Sequence, residues 1–394
     1  MRPLEGIRIL DLTQAYSGPF CTMNLADHGA EVIKIEQPGM GDQSRTWGPM
    51  KNGESGFYAN LNRNKSGMTL DLKSEEGKEI FRRLLKTADV VCENFKVGVL
   101  EKLGFSYEVM KEINPRIIYG NITGFGINGP LAKRPCYDIV AQAMSGLMQS
   151  TGFPDGLPCK VGPAIADNYT GAFLALGIVM ALYKREKTGE GCHIDVAMVD
   201  TMIHILDHFV IGYTINGEKT SRCGNRDFSI APFDAFQAKD GMFVLACGTD
   251  KMFEKLCGLM ERPDLLEDPR YKTNQDRCDH YIGELRPEVE NWSMTKTLDE
   301  LEEAIVAIGI PFGRIQDVEQ VAKHPQTKAR NMLWDVDQPG MGNITITGTP
   351  IKISYEEDEL IKAAPQLGED NAKILRDLGY SDEEIAALVA KGAI

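Results

Sequence analysis

Along its first 215 residues the chain alternates short β-branched apolar runs with longer stretches of helical spacing. Ile7–Leu12 is a strand-like run, and Thr13–Ser17 is a polar loop behind it. Gly18-Pro19 opens a helical stretch, because proline is tolerated in a first turn. That helix runs to about His28 and ends at Gly29. Glu31–Glu36 is the next strand, closed by Gln37-Pro38-Gly39. Strand, helix and strand in this order predict a parallel pair, since parallel strands need a crossover.

The alternation continues with a helix over Ser74–Ala88, a strand over Asp89–Glu93, a helix over Tyr107–Asn114 and a strand over Arg116–Thr123. Helices follow over Tyr137–Gln149 and Asn168–Lys187, then a strand over Ile194–Met198 and a helix over Val199–Ile215. The pattern predicts an α/β chain with a Rossmann-like parallel sheet. Around Asn216–Asp227 the texture turns polar. A strand at Met242–Cys247 and helices at Lys251–Met260 and Leu298–Ile308 then predict a smaller α/β unit. After a polar break near His324–Arg330, the tail returns to a strand at Asn343–Thr347 and two helices. Ser381-Asp382-Glu383-Glu384 is a capping box for the last of these.

The length of 394 residues fits two domains, and 43% hydrophobic residues can fill sizeable cores. A net charge of −14 argues against nucleic acid and anionic membrane as partners. The longest apolar stretch, Ala172–Tyr183, is shorter than the roughly 20 residues that span a bilayer. It therefore reads as a buried helix. The nine cysteines are odd in number and form no C-x-x-C pair, which disfavours zinc ribbons and a disulfide framework. With no apolar signal-peptide core at the N-terminus, the expectation is a cytoplasmic protein with reduced thiols.

The strongest chemical candidate is Asp167, in Ala164-Ile165-Ala166-Asp167-Asn168-Tyr169-Thr170-Gly171 before the apolar helix. The positive helix end should keep this carboxylate ionised and oriented, so that it can attack an activated carbonyl. The structural alternative is a helix N-cap. Gly124-Phe125-Gly126-Ile127-Asn128-Gly129 matches a dinucleotide fingerprint, but Pro130 follows and no apolar helix begins there. A tight turn or a loop over a ligand fits better. His204 and His208 fall one helical turn apart without a third ligand, so no metal is expected. Lys96, Lys102, Lys133 and Arg134 follow predicted strands or loops, where they can meet phosphates or simply be solvated.

An ordered set of motifs resembles the class III CoA-transferase family, which includes formyl-CoA:oxalate and carnitine CoA-transferases. It comprises Pro3–Leu12, Gly18-Pro19, Gly29–Glu36, Gly41-Asp42-x-x-Arg45, Asn62-x-x-Lys65, Leu70–Lys73 and Asp89–Phe95. Asn114-Pro115-Arg116, Gly124–Gly126, Tyr137-Asp138-x-x-Ala141-Gln142, Ser145-Gly146, Ala166-Asp167 and Pro365-x-Leu367-Gly368-Glu369 complete it. The resemblance implies a large Rossmann-like domain over 1–215 completed by 330–394, a small domain over 225–325, and an interlocked homodimer. It implies Asp167 as covalent nucleophile, passing through an aspartyl anhydride and an aspartyl-CoA thioester. CoA contacts map onto Ala15, Tyr16, Leu72, Asn94, Lys102, Arg134, Tyr137 and Asp138. No permanently bound cofactor is implied, and CoA thioesters and organic acids are the substrates. Gln37 departs from the family's basic residue, and Cys223–Phe236 lacks the oxalate enzyme's run of glycines, which points away from oxalate. Asn225 and Arg226 are candidates for the acceptor contact.

Three alternatives accompany this reading. An α-methylacyl-CoA racemase shares the fold implied, but its base position is Tyr137 here, and a phenol of pKa about 10 is a poor base at neutral pH. A nicotinamide oxidoreductase and a non-catalytic acyl-CoA-binding protein are the others.

Overall fold

A computed structural model describes residues 2–355 and 359–394. The chain divides into one unit of residues 1–147, 160–217 and 325–394 and a second of 148–159 and 218–324. The first unit holds a six-stranded sheet. Its strands are β1 (Arg8–Asp11), β2 (Glu31–Glu36), β3 (Lys65–Thr69), β4 (Val90–Glu93), β5 (Ile118–Thr123) and β6 (His193–Ala197). They lie in the order β3-β2-β1-β4-β5-β6, and every neighbouring pair is parallel. The order reverses between β1 and β4, which leaves a crevice beyond their carboxyl ends.

Both faces are covered, as a parallel sheet requires. Alternate strand residues point to opposite sides. Ile9, Val90 and Ile118 meet Leu25 of α1 (Ser17–Asp27) and Leu174 and Ile178 of α6 (Ile165–Thr188). Leu10, Ile33 and Val91 meet the other layer, which holds α2 (Glu75–Leu85), α4 (Tyr107–Ile113) and the two C-terminal helices, Asn371–Asp377 and Asp382–Ala390. The tail also covers the sheet's edge. Asp370 and Asn371 side chains accept the N–H groups of Gly67 and Thr69 at 2.8 Å each, so β3 has no open ladder there.

In the second unit β7 (Phe233–Gln237), β8 (Met242–Ala246) and β9 (Phe312–Arg314) form an antiparallel sheet in the order β9-β8-β7. Phe236 and Phe243 pack with helical residues Leu256, Leu285 and Leu301 in its core. The segment 148–159 belongs here because Arg222 donates to the Gly156 carbonyl and Gly224 to that of Gly152.

Several elements differ from the sequence reading. The stretch Tyr137–Gln149 divides into α5 (Asp138–Ser145) and a short turn of helix, broken at Gly146 with φ +99°. Val199–Ile215 divides at Ile205-Leu206 into α7 (Met198–His204) and α8 (Asp207–Asn216). His204 and His208 therefore do not share a helix face. The strand β3 was not apparent in the sequence because its first residue is Lys65, which is fully buried. By length and composition alone α6 could cross a membrane. In this fold one side is core, while Leu176, Val179, Met180 and Tyr183 on the other are exposed, so the expected buried helix is only half buried.

Lys65 stands in one of two buried ion pairs, Lys65–Asp11 at 3.0 Å and Lys34–Asp42 at 2.8 Å. Burial pushes Asp11 up, but Lys65 and Lys34 more than offset it and hold the carboxyl below its ordinary range. The stability this gives is complete between the unfolded carboxyl value of about 3.9 and about 8, where burial makes Lys65 give up its proton, and it is lost as the pH falls below the lower bound. Removing one partner leaves an uncompensated buried charge. Lys65→Met should thus lower unfolding stability by about 3–5 kcal/mol in urea titrations, whereas a loss under about 1 kcal/mol would contradict a structural role for the pair.

Candidate active site

A cavity of about 360 Å³ opens at the carboxyl ends of β1, β4 and β5, at the point where the strand order reverses. Its walls are the loop after β1 (Gln14–Ser17), the loop after β4 (Asn94–Val97), Ile122–Gly124, the segment 132–137, Asp167 and Met198.

The loop after β1 is clamped from three sides. From below, Asp11 accepts the Thr13 N–H at 2.9 Å and the Thr13 and Thr22 hydroxyls. From one side, Asp42 accepts the Ala15 N–H at 3.0 Å, and Lys34 donates to the Thr13 carbonyl. From the other, Asn94 accepts the Gln14 N–H and donates to the Gln14 carbonyl, both at 2.7 Å. These contacts hold Ala15 at φ +66°, a left-handed conformation costly for any residue with a Cβ. The Gly41-Asp42-x-x-Arg45 and Asn62-x-x-Lys65 motifs support this clamp. Glu36 accepts from the Asp42 N–H and Arg45, and Asn62 accepts from Lys65 at 2.9 Å.

Asp167 does not cap its helix, as one sequence reading had it. α6 begins at Ile165 with Ala164 as N-cap, so Asp167 lies inside the first turn. No side chain of the N-cap residue serves the helix end. Instead Asp138, the first residue of α5, reaches across and accepts the Ala166 N–H at 2.9 Å. Its other oxygen accepts from Gln142 at 2.8 Å, and Gln142 accepts the Val161 N–H at 2.9 Å. The Tyr137-Asp138-x-x-Ala141-Gln142 motif thereby fixes the start of α6. At Gly171, one turn beyond Asp167, an added Cβ would lie 2.4 Å from the Ser17 carbonyl oxygen. Only glycine lets the helix approach that closely, and Ser17 hydrogen-bonds the Asp167 carboxyl.

The electrostatics differ from the sequence expectation of a readily ionised group. Burial, then the nearby Asp138 charge, push the Asp167 carboxyl up to about 7, against the Ser17 hydrogen bond. Burial, followed by Asp167, also pushes the adjoining Cys136 thiol up to about 11, so it stays neutral. Tyr16 is raised by burial and by the Asp167 and Asp138 charges, and its hydroxyl hydrogen-bonds Asn168.

Of the residues singled out in the sequence, Ala15, Tyr16, Asn94, Arg134, Tyr137 and Asp167 meet at this cavity. Lys96 and Lys133 also line it. Leu72 packs in the core, Lys102 ends α3 (Val99–Lys102), and Asp138 faces the α6 terminus; none of these three lines the cavity. Ser17 was not singled out. Its place in the first turn of a helix after a polar loop is an ordinary one, and its nearness to Asp167 comes from the packing of α1 on α6. Gly124 lines the cavity, where a Cβ would lie 2.2 Å from that of Cys136. The glycine-rich segment after it turns without starting a helix; its Gly126 and Ile127 N–H groups go to Thr123 and Asp195. Among the described residues no group of three His, Cys, Asp or Glu is arranged to hold a metal.

The chain is similar to known proteins over nearly its whole length. Acetyl-CoA:oxalate CoA-transferase of Acetobacter aceti is 42% identical over 380 residues, covering 95% of each chain. Human succinyl-CoA:glutarate CoA-transferase is 37% identical over 399 residues, which is 100% of this chain and 90% of that one. A crystal structure of a CAIB/BAIF family protein from Brucella suis has a TM-score of 0.85 and 40% identity, covering 96% of this chain and 99% of that one. Residues 4–371 match CoA-transferase family III, and the chain belongs to that family.

Proposed function

We propose that this family III enzyme transfers CoA from an acyl-CoA donor such as succinyl-CoA or acetyl-CoA to a dicarboxylic acid, with Asp167 as the covalent carrier. The observation that carries the reading is a half-buried carboxyl, directed by a helix start and Ser17, at the inner wall of a cavity at the sheet's switch point. The names of the relatives supply the acceptor class, since oxalate and glutarate are both diacids. The Acetobacter relative also keeps oxalate among the candidates, which the missing glycine run had disfavoured.

An Asp167 oxygen attacks the thioester carbonyl carbon, the C–S bond breaks, and CoA leaves as thiolate. The thiolate then attacks the Asp167 carbonyl of the mixed anhydride and expels the donor acid, leaving aspartyl-CoA. The acceptor carboxylate attacks that thioester and releases the thiolate again. Thiolate attack on the acceptor's carbonyl completes the cycle and restores Asp167. Both intermediates hydrolyse readily, so the cavity must keep water from them. Ala15, Tyr16, Asn94, Arg134 and Tyr137 are read as CoA contacts at the cavity, and Leu72 and Lys102 as CoA contacts away from its lining. Asp138 is read as the group that aims Asp167 rather than as a CoA contact. We read the large unit as Rossmann-like, the compartment as cytoplasmic, and the assembly as an interlocked homodimer. The exposed apolar side chains of α6 and α8, among them Met180, Tyr183, Ile211 and Ile215, support the homodimer, because such surface is normally covered.

Asp167→Ala should lower CoA exchange by at least about three orders of magnitude and abolish the CoA-sized mass adduct that wild type forms with acyl-CoA. Exchange that survives in the variant would remove Asp167 from the mechanism. The reacting form is the carboxylate and its value is about 7, so transfer should rise with pH through that region and level off above it. Asp138→Asn keeps an acceptor for the Ala166 N–H but removes the like charge. The rising limb should therefore move to lower pH, and an unmoved limb would show that Asp138 does not act on Asp167. In sedimentation equilibrium the protein should run as a dimer of its 43.6 kDa chain, and a stable monomer would contradict the assembly.

A further inference from the structure

Glu93 ends β4, and the chain runs from it directly into the Asn94–Val97 wall of the cavity. Glu93 is 5% exposed, yet among the described residues it forms no ion pair with a Lys or Arg. One oxygen accepts the Phe95 N–H at 2.5 Å and the other accepts the Tyr119 hydroxyl at 2.8 Å. Tyr119 is itself fixed. Its ring stacks on His193 at 4.6 Å, and His193 is hydrogen-bonded to Asn121 at 2.6 Å. The wall is thus held by two clasps, Asn94 on Gln14 and Glu93 on Phe95.

Two donors on two oxygens match a carboxylate. A protonated acid keeps the Tyr119 contact only by reversing it, donating to the phenol oxygen, and it holds the Phe95 N–H with a neutral and weaker acceptor. The nearby charges that act most on Glu93 are Glu101 on α3 and Asp195 on β6, both acidic. Burial, aided by these two charges, pushes Glu93 up to about 7, against the Tyr119 and Phe95 hydrogen bonds. A buried charge without a cation is costly, and here it is offset by two charge-assisted hydrogen bonds that a neutral side chain would make more weakly.

We infer that Glu93 is a positioning residue for the CoA thioester, its carboxylate holding the Asn94–Val97 wall in the shape that accepts the ligand. The inference rests on the reading above that this wall takes CoA. The ionised side chain orders the wall and the protonated one loosens it. Affinity for CoA therefore falls as the pH drops through the region where Glu93 takes up its proton.

The test is calorimetric binding of CoA itself in an Asp167→Asn background, which removes both chemistry and the titration of Asp167. Affinity should fall about tenfold between about pH 8 and about pH 6. Adding Glu93→Gln should make binding uniformly weak and flatten that dependence, leaving only the slope of the ligand's own phosphate. Tyr119→Phe keeps the buried ring but removes a donor from the carboxylate. It should move the fall to higher pH, and it provides a second reading if the glutamine variant is unstable. Unchanged affinity and slope in Glu93→Gln, while Asn94→Ala weakens binding, would overturn the role of Glu93 and leave the wall assignment standing. Unchanged binding in Asn94→Ala would overturn both.

Discussion

Two buried ion pairs hold the part of the molecule on which everything else at the cavity depends. Asp11–Lys65 and Lys34–Asp42 sit under the loop after β1 and turn its backbone into the left-handed kink at Ala15. Their worth lies less in net stability, since burying charges roughly offsets pairing them, than in fixing one geometry. Each carboxylate spends its remaining lone pairs on loop N–H groups and hydroxyls: Thr13 and Thr22 at Asp11, Ala15 and Ser44 at Asp42. The loop cannot relax without stripping buried charges of their remaining hydrogen bonds, and the start of α1, with Ser17, stays in place against α6.

Asp167 is governed by opposing terms of unequal size. The helix start and Ser17 favour its charged form; burial and the Asp138 carboxylate favour the neutral one, and these win. An acid so placed is ionised for a substantial part of the time near neutrality. It is also more basic, and so a better nucleophile, than a solvated aspartate. Asp138 contributes to both direction and basicity, because the oxygen that caps the Ala166 N–H also carries the charge felt by Asp167.

Much of this was legible in the sequence. Ile7–Leu12, the helix behind it and Glu31–Glu36 predicted the parallel start of the sheet, and apolar periodicity located most helices. Asp167 stood out because a carboxylate preceded a long apolar run. Other features depend on partners distant in sequence. Lys65 hid β3, since a lysine that pairs with Asp11 inside the core reads as a surface residue. The start of α6 was misjudged because Ala164 carries no capping group, and its cap, Asp138, lies 28 residues earlier. The break at Ile205-Leu206 falls in a stretch with no glycine or proline from Val199 to Val210, so nothing in the local sequence marks it. The Gly41-Asp42-x-x-Arg45 and Asn62-x-x-Lys65 motifs were visible as strings, but their task of bracing the first loop appears only when β1, β2 and β3 are side by side.

The central claim is that Asp167 carries the acyl and CoA groups covalently, and the most direct measurement follows oxygen. An acceptor acid labelled with heavy oxygen in its carboxylate is turned over with an acyl-CoA donor, and the protein is then digested and weighed by mass spectrometry. The account predicts heavy oxygen in the peptide containing Asp167, left there when thiolate cleaves the second anhydride, and heavy oxygen in the donor acid released by later turnovers. Label that reaches the released acid while the Asp167 peptide stays unlabelled would contradict it.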